Sequence, residues 1–110
     1  MENLQRFSDW FGRSFENWDI QYRLHATQKM FLRNIEENEI IYVLLHGYII
    51  ENYKNDFPFP SVLVSGITEG QRQLHIVIAV DKKLHRFYII TTYEPNPQKW
   101  IANFTRRKVP

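Results

Sequence analysis

The chain reads as an α+β domain, with N-terminal helices packed on a mostly antiparallel sheet of about four strands. Two observations carry this. Apolar residues recur every three to four positions through the first half and at every second position from Tyr48 onward. The run Glu94-Pro95-Asn96-Pro97 then closes the sheet, because proline supplies no ladder donor.

Each element follows from local pattern. Leu4, Phe7, Phe11, Phe15 and Trp18, with Trp10 beside them, predict an amphipathic aromatic helix over 4–18, interrupted only by Gly12. This extension, 1–19, docks on its own core or offers a surface to a partner or a second copy. A second helix is expected from Ile20 to Arg33, with Asp19 as its N-cap and Leu24, Phe31 and Ile35 lining one side. Asn34 suits the left-handed position that ends it. Glu37 to His46 predicts a third helix, with carboxylates in its first turn and Ile40, Ile41, Leu44 and Leu45 inward; Gly47 stops it.

Strands follow at Tyr48–Tyr53, Ser61–Ile67, Arg72–Val80 and His85–Glu94, the last two joined as a hairpin across Asp81-Lys82-Lys83-Leu84. Lys54–Pro60, with two prolines, is an irregular loop. Trp100, Ile101 and Phe104 suggest a short helix or a packed tail. The whole is expected to be one domain, 1–110, with 20–108 as its body.

Composition excludes several classes. The 110 residues suffice for a core without metal or disulfide support. The absence of cysteine removes disulfides, thiolate chemistry and cysteine-ligated zinc. No apolar run approaches the ~20 residues of a membrane span, and there is no signal-peptide pattern, so a cytoplasmic location away from membranes is expected. A net charge of +2 is too small to argue by itself for nucleic acid, although Thr105-Arg106-Arg107-Lys108 is locally basic.

Two constellations carry candidate chemistry. In QLHIVIAV, strand parity sends Leu74, Ile76, Ile78 and Val80 to the core and leaves Gln73, His75, Val77 and Ala79 on the other face. With Tyr88 and Ile90 inward on the next strand, matching apolar residues places His75 near Thr91 and Gln73 near Tyr93. His75 is then a half-buried histidine bonded to a neighbouring hydroxyl, or a general acid or base. His25, Lys29 and Arg33, spaced i, i+4, i+8, share one helix face and are a solvated stripe or a phosphate contact. No histidine pair has metal-ligand spacing, and no phosphate-binding glycine loop, nucleophile elbow or dinucleotide fingerprint occurs, so neither metal nor cofactor is expected.

A set of residues spread along the chain resembles a known pattern. It comprises His25-Ala26, Met30, Arg33, Ile35, Gly47 with Ile49/Ile50 and Tyr53, Leu74-His75-Ile76-Val77 leading into Ala79-Val80-Asp81, Ile90-Thr91-Thr92-Tyr93-Glu94-Pro95, and Trp100. It resembles a small uncharacterised prokaryotic domain family grouped with RelE/BrnT-like toxins, over about Tyr22 to Lys108. Asn34 replaces the usual glycine and Glu36 a usual Ser/Thr cap. The resemblance implies a RelE/BrnT-like fold, a small antitoxin-like protein as partner, and mRNA cleavage or another translation-inhibiting activity.

Such cleavage, metal-independent, would use the ribose 2′-hydroxyl as nucleophile. The expected roles are His75 and His25 as the acid–base pair and Arg33 as the cation. Lys29, Thr91 and Tyr93 would contact substrate. The alternative is a non-catalytic interaction domain, binding a protein partner or forming a homodimer through the aromatic N-terminal helix. A nucleic-acid binder without chemistry, using Arg106, Arg107 and Lys108, is a third reading.

Overall fold

The alternating apolar pattern after Tyr48 builds a sheet because every second side chain meets the same helical layer. The computed structural model describes residues 4–11, 17–101 and 103–108. In chain order these form β1 (Gln5–Arg6), α1 (Phe7–Phe11), β2 (Asp19–Tyr22), α2 (Leu24–Arg33), α3 (Glu37–His46), β3 (Tyr48–Tyr53), β4 (Ser61–Ile67), β5 (Gln73–Asp81), β6 (Arg86–Tyr93), β7 (Trp100–Ile101) and β8 (Arg106–Arg107). The fold is α+β, as expected. The main sheet has six strands rather than four, ordered β1-β3-β4-β5-β6-β2, and β7 pairs with β8 in a separate ribbon. All pairs are antiparallel except β2 with β6.

The extra strands correct the reading of the N-terminus. Gln5 and Arg6 pair with β3, so the expected helix over 4–18 starts as a strand; Phe15 lies outside the described residues. Phe7 is fully buried in the shared core and Trp10 packs against it. That burial spends the aromatic side of α1 on the chain's own core and removes Phe7 from any dimer surface. Asp19 caps no helix. Asp19–Tyr22 runs parallel to β6, since Trp18, Ile20 and Tyr22 alternate and pack against the core.

α2 therefore begins at Leu24. Ala26 and Met30 face inward; of the residues expected along one side, Ile35 is buried while Leu24 and Phe31 point to solvent. Asn34 ends the helix at φ 56°, the left-handed stop its side chain suggested. α3 has the expected bounds. The Glu36 N–H donates to Glu39 (3.0 Å) at its start, and its buried set is Ile40, Val43 and Leu44, with Leu45 turned outward.

The β5–β6 pair carries the most consequential correction. Val77 opposes Thr91 but Ile78 opposes Ile89, so Ile90 is an unpaired bulge residue. The extra residue reverses the parity of β6 at that point. Phe87 and Ile89 are fully buried in the core, Tyr88 faces the other way, and His75 lies opposite Tyr93 rather than Thr91.

Gly47 sits where the end of α3 meets β4. A Cβ there would stand 2.6 Å from the Val43 carbonyl oxygen and 2.8 Å from that of Ser65. Both are backbone atoms that cannot step aside cheaply. Gly47→Ala is expected to cost about 2 kcal/mol by forcing helix and sheet apart, read as a lower urea midpoint at unchanged m-value.

Candidate functional site

The sheet face turned away from α1–α3 carries the polar residues. There β5 places His75 between Ser65 of β4 and Tyr93 of β6. Strand parity also brings Glu51 and Tyr53 of β3 to this face. The segment after β6 folds back over it, and Trp100 meets the His75 ring edge-on at 4.5 Å between centroids.

His75 is fully buried. Its Nε2 lies 2.7 Å from the Phe104 carbonyl oxygen and its Nδ1 3.3 Å from the Tyr93 hydroxyl. A carbonyl only accepts, so Nε2 carries the proton and Nδ1 accepts from Tyr93. Burial pushes the imidazole down to about 4, against the opposing pull of the Phe104 carbonyl and of Glu51. At neutral pH the ring is uncharged and both nitrogens are occupied. The geometry is that of a satisfied core histidine which fixes the hydroxyl of its neighbour.

Beside it lies a charged relay. Arg107 donates through Nε and Nη2 to the two Glu51 carboxylate oxygens, at 2.7 and 3.1 Å, and the Tyr53 hydroxyl also donates to Glu51. Burial alone would raise the Glu51 carboxyl, but the bonds from Arg107 and Tyr53 outweigh it and hold it below the usual range. Burial and the adjacent carboxylate push Tyr53 up to about 12, so its proton stays on. The Arg107 guanidinium also lies 4.7 Å from the Trp100 ring centroid.

An open cleft of about 510 Å³ runs along the border of this face, lined by Arg33, Tyr93, Glu94, Asn96, Lys99, Trp100 and Arg107. Arg33 reaches it from the end of α2, its Nη1 donating to the Thr92 carbonyl at 2.8 Å. Arg72 holds that helix end. Its guanidinium donates to the carbonyls of Arg33 and Asn34 and to the carboxylates of Glu39 and Glu94. Glu94 is therefore engaged by Arg72, and Arg107 by Glu51. Arg33 and Lys99 have no carboxylate partner among the described residues, so the cleft is cationic.

A family model described as a domain of unknown function, DUF4258, matches residues 22–94. The chain belongs to that family. No curated protein and no solved structure matches it. The DUF4258 span takes in Arg33, His75 and Tyr93 but ends before Lys99, Trp100 and Arg107, which form the opposite wall of the cleft.

The residues expected from sequence divide accordingly. Arg33 and Tyr93 line the cleft, with His75 behind Tyr93. His25 is exposed on α2, does not line the cleft, and touches neither ring nitrogen of His75; Lys29 is half-buried on the same helix. Thr91 pairs with Val77, one pair away from His75. Sequence reading missed Lys99 and Glu51 and left Arg107 within a basic tail. Strand parity linking Glu51 with Tyr53 was an available signal; nothing local marks Lys99. No helix among the described residues is long and apolar enough to cross a membrane.

The buried imidazole makes stability depend on pH. Its folded value is depressed, so between about pH 6.5 and 4 the unfolded chain takes up a proton that the folded chain refuses. The stabilisation is fully present above pH 6.5 and is lost as pH falls through 4, amounting to on the order of 3 kcal/mol. His75→Gln is expected to be less stable at pH 7 and to lack this component of the acid slope. Urea midpoints measured from pH 7 to pH 4 on both proteins check it.

Proposed function

We propose that this DUF4258 protein binds single-stranded RNA along the Arg33–Arg107 cleft, and that it does so as a toxin-type, metal-independent ribonuclease. The observation that supports this is the convergence of Arg33, Lys99 and Arg107 with the rings of Tyr93 and Trp100 on one open groove. Cations at that density contact backbone phosphates, and a neighbouring aromatic face accepts a base without reading its identity. The residues with unneutralised charge, Arg33 and Lys99, carry the phosphate contact.

Cleavage by the 2′-hydroxyl needs a proton acceptor at that oxygen, a donor at the leaving 5′-oxygen and positive charge over the phosphorus. In this reading Arg33 supplies the charge. Tyr93 accepts the 2′-hydroxyl proton while passing its own to the Nδ1 of His75, and Lys99, on the same cleft, donates a proton to the leaving 5′-oxygen. His25 has no part in it, since it does not line the cleft. His75 acts through Tyr93 rather than on RNA.

Binding and chemistry separate experimentally. Fluorescence anisotropy with a labelled RNA oligonucleotide should show affinity falling as salt rises. Arg33→Ala and Lys99→Ala should each weaken binding about tenfold and flatten the log–log salt slope by roughly 0.7. Tyr93→Phe should retain binding and lose strand cleavage on a denaturing gel. RNA affinity that ignores salt, or that survives both charge removals, would overturn the reading; cleavage undiminished in Tyr93→Phe would remove the catalytic part alone.

A further inference from the structure

Two residues of the cleft lining are neither cationic nor aromatic, Glu94 and Asn96. Both are exposed, and each stands directly before a proline in Glu94-Pro95-Asn96-Pro97. A residue before proline is steered to extended backbone, and alternation then turns both side chains to the same side, about 7 Å apart along the chain. Pro95 between them is buried. The turn that follows is closed by the Lys99 N–H, which donates to the Asn96 carbonyl at 2.9 Å. The pair is therefore held in place before any ligand arrives.

Their remaining hydrogen-bonding atoms form a pattern. Arg72 donates through Nε to Glu94 Oε1 at 2.6 Å, which leaves Oε2 and a second lone pair on Oε1 as acceptors. The Gln98 backbone N–H donates to Asn96 Oδ1 at 2.8 Å. That bond orients the amide and leaves Nδ2 as a donor with no partner among the described residues. The cleft thus offers two adjacent acceptors and one donor beside the Tyr93 ring. From this we infer that the cleft selects guanine in the RNA it binds.

The edge of guanine carries one acceptor, O6, beside two donors, the N1–H and the exocyclic N2–H. Glu94 accepts from N1–H and N2–H together while Asn96 Nδ2 donates to O6, so all three groups are satisfied. Adenine and cytosine reach at most two bonds, with their amino group on Glu94 and a ring nitrogen on Asn96. Uracil aims a carbonyl oxygen at the carboxylate, which has no proton to give. Guanine selection rests on the reading of this cleft as an RNA groove, and adds to it the identity of the base on Tyr93. It holds whether or not the bound strand is cut.

The test compares the binding of a labelled adenosine oligomer with that of the same oligomer carrying one guanosine, both with 2′-fluoro ribose so that neither is cleaved. Anisotropy with the full chain is expected to show the guanosine form bound about tenfold more tightly. Glu94→Gln should bring that ratio down to about one. A Glu94 acting only as a negative charge would instead leave the ratio unchanged, since its removal strengthens both oligomers alike. Asn96→Asp keeps the bond from Gln98, replaces the donor by an acceptor, and should lower the ratio as well. Arg33→Ala should weaken both oligomers and preserve the ratio. Equal binding of the two oligomers, or a ratio that survives both Glu94→Gln and Asn96→Asp, overturns guanine selection and leaves the RNA groove standing. No binding of either oligomer overturns the RNA groove, and guanine selection with it. Free guanosine monophosphate that displaces the guanosine oligomer mole for mole would assign the pocket to a free nucleotide and overturn selection within RNA.

Discussion

A fully buried imidazole obliges the surrounding chain to satisfy two nitrogens at once, and this molecule is arranged around that demand at His75. One partner, Tyr93, comes from the neighbouring strand and needs only the right register. The other comes from far along the chain. To present the Phe104 carbonyl to Nε2, the segment after β6 must turn back across the sheet, with Asn103 at φ 58° and Phe104 at φ 66°. Asparagine tolerates that region, but a bulky residue there costs free energy, which the short bond to His75 and the packing of Trp100 on its ring offset. The consequence is a wall: the returning segment brings Lys99, Trp100 and Arg107 to the border of the sheet and creates the cleft.

The facing wall depends on Arg72. A helix C-terminus exposes unpaired carbonyls and the negative end of its dipole, and a guanidinium has enough donors to meet them while still pairing with carboxylates. By binding the Arg33 and Asn34 carbonyls together with Glu39 and Glu94, Arg72 ties the end of α2 to the start of α3 and the end of β6. The arrangement also governs charge. Glu94, on the cleft, and Glu51, bonded to Arg107, are each held by an arginine, so among the described residues no carboxylate neutralises Arg33 or Lys99. α2 thus delivers Arg33 to the cleft at its end.

Much of this architecture was legible before any coordinates. The period change at Tyr48, the αL stop at Asn34, the bounds of α3 and the inward set Leu74, Ile76 and Ile78 all follow from local rules, and all hold. Arg33, His75 and Tyr93 were singled out by residue type and do lie together. The failures share a cause. β2 reads from sequence as the start of a helix because four residues cannot show period two decisively, and only pairing with β6 makes them a strand. The bulge at Ile90 reversed which side of Phe87 and Ile89 is buried, and no local pattern announces an unpaired residue. Leu24 and Phe31 share one side of α2, but amphipathicity defines a stripe without saying which way it points, and both face solvent.

The sequence by itself determined the class of fold, the order of most elements and the two-faced nature of the His75 strand, because these rest on spacing along the chain. The tertiary structure alone decided that His75 is buried and neutral, that His25 is exposed and does not line the cleft, and that Lys99 and Arg107 join Arg33 around one groove. Those outcomes depend on contacts across tens of residues, on one bulge and on one returning segment. Burial, which lowers the histidine, and proximity, which assembles the cations, are properties of three-dimensional packing that no local pattern contains.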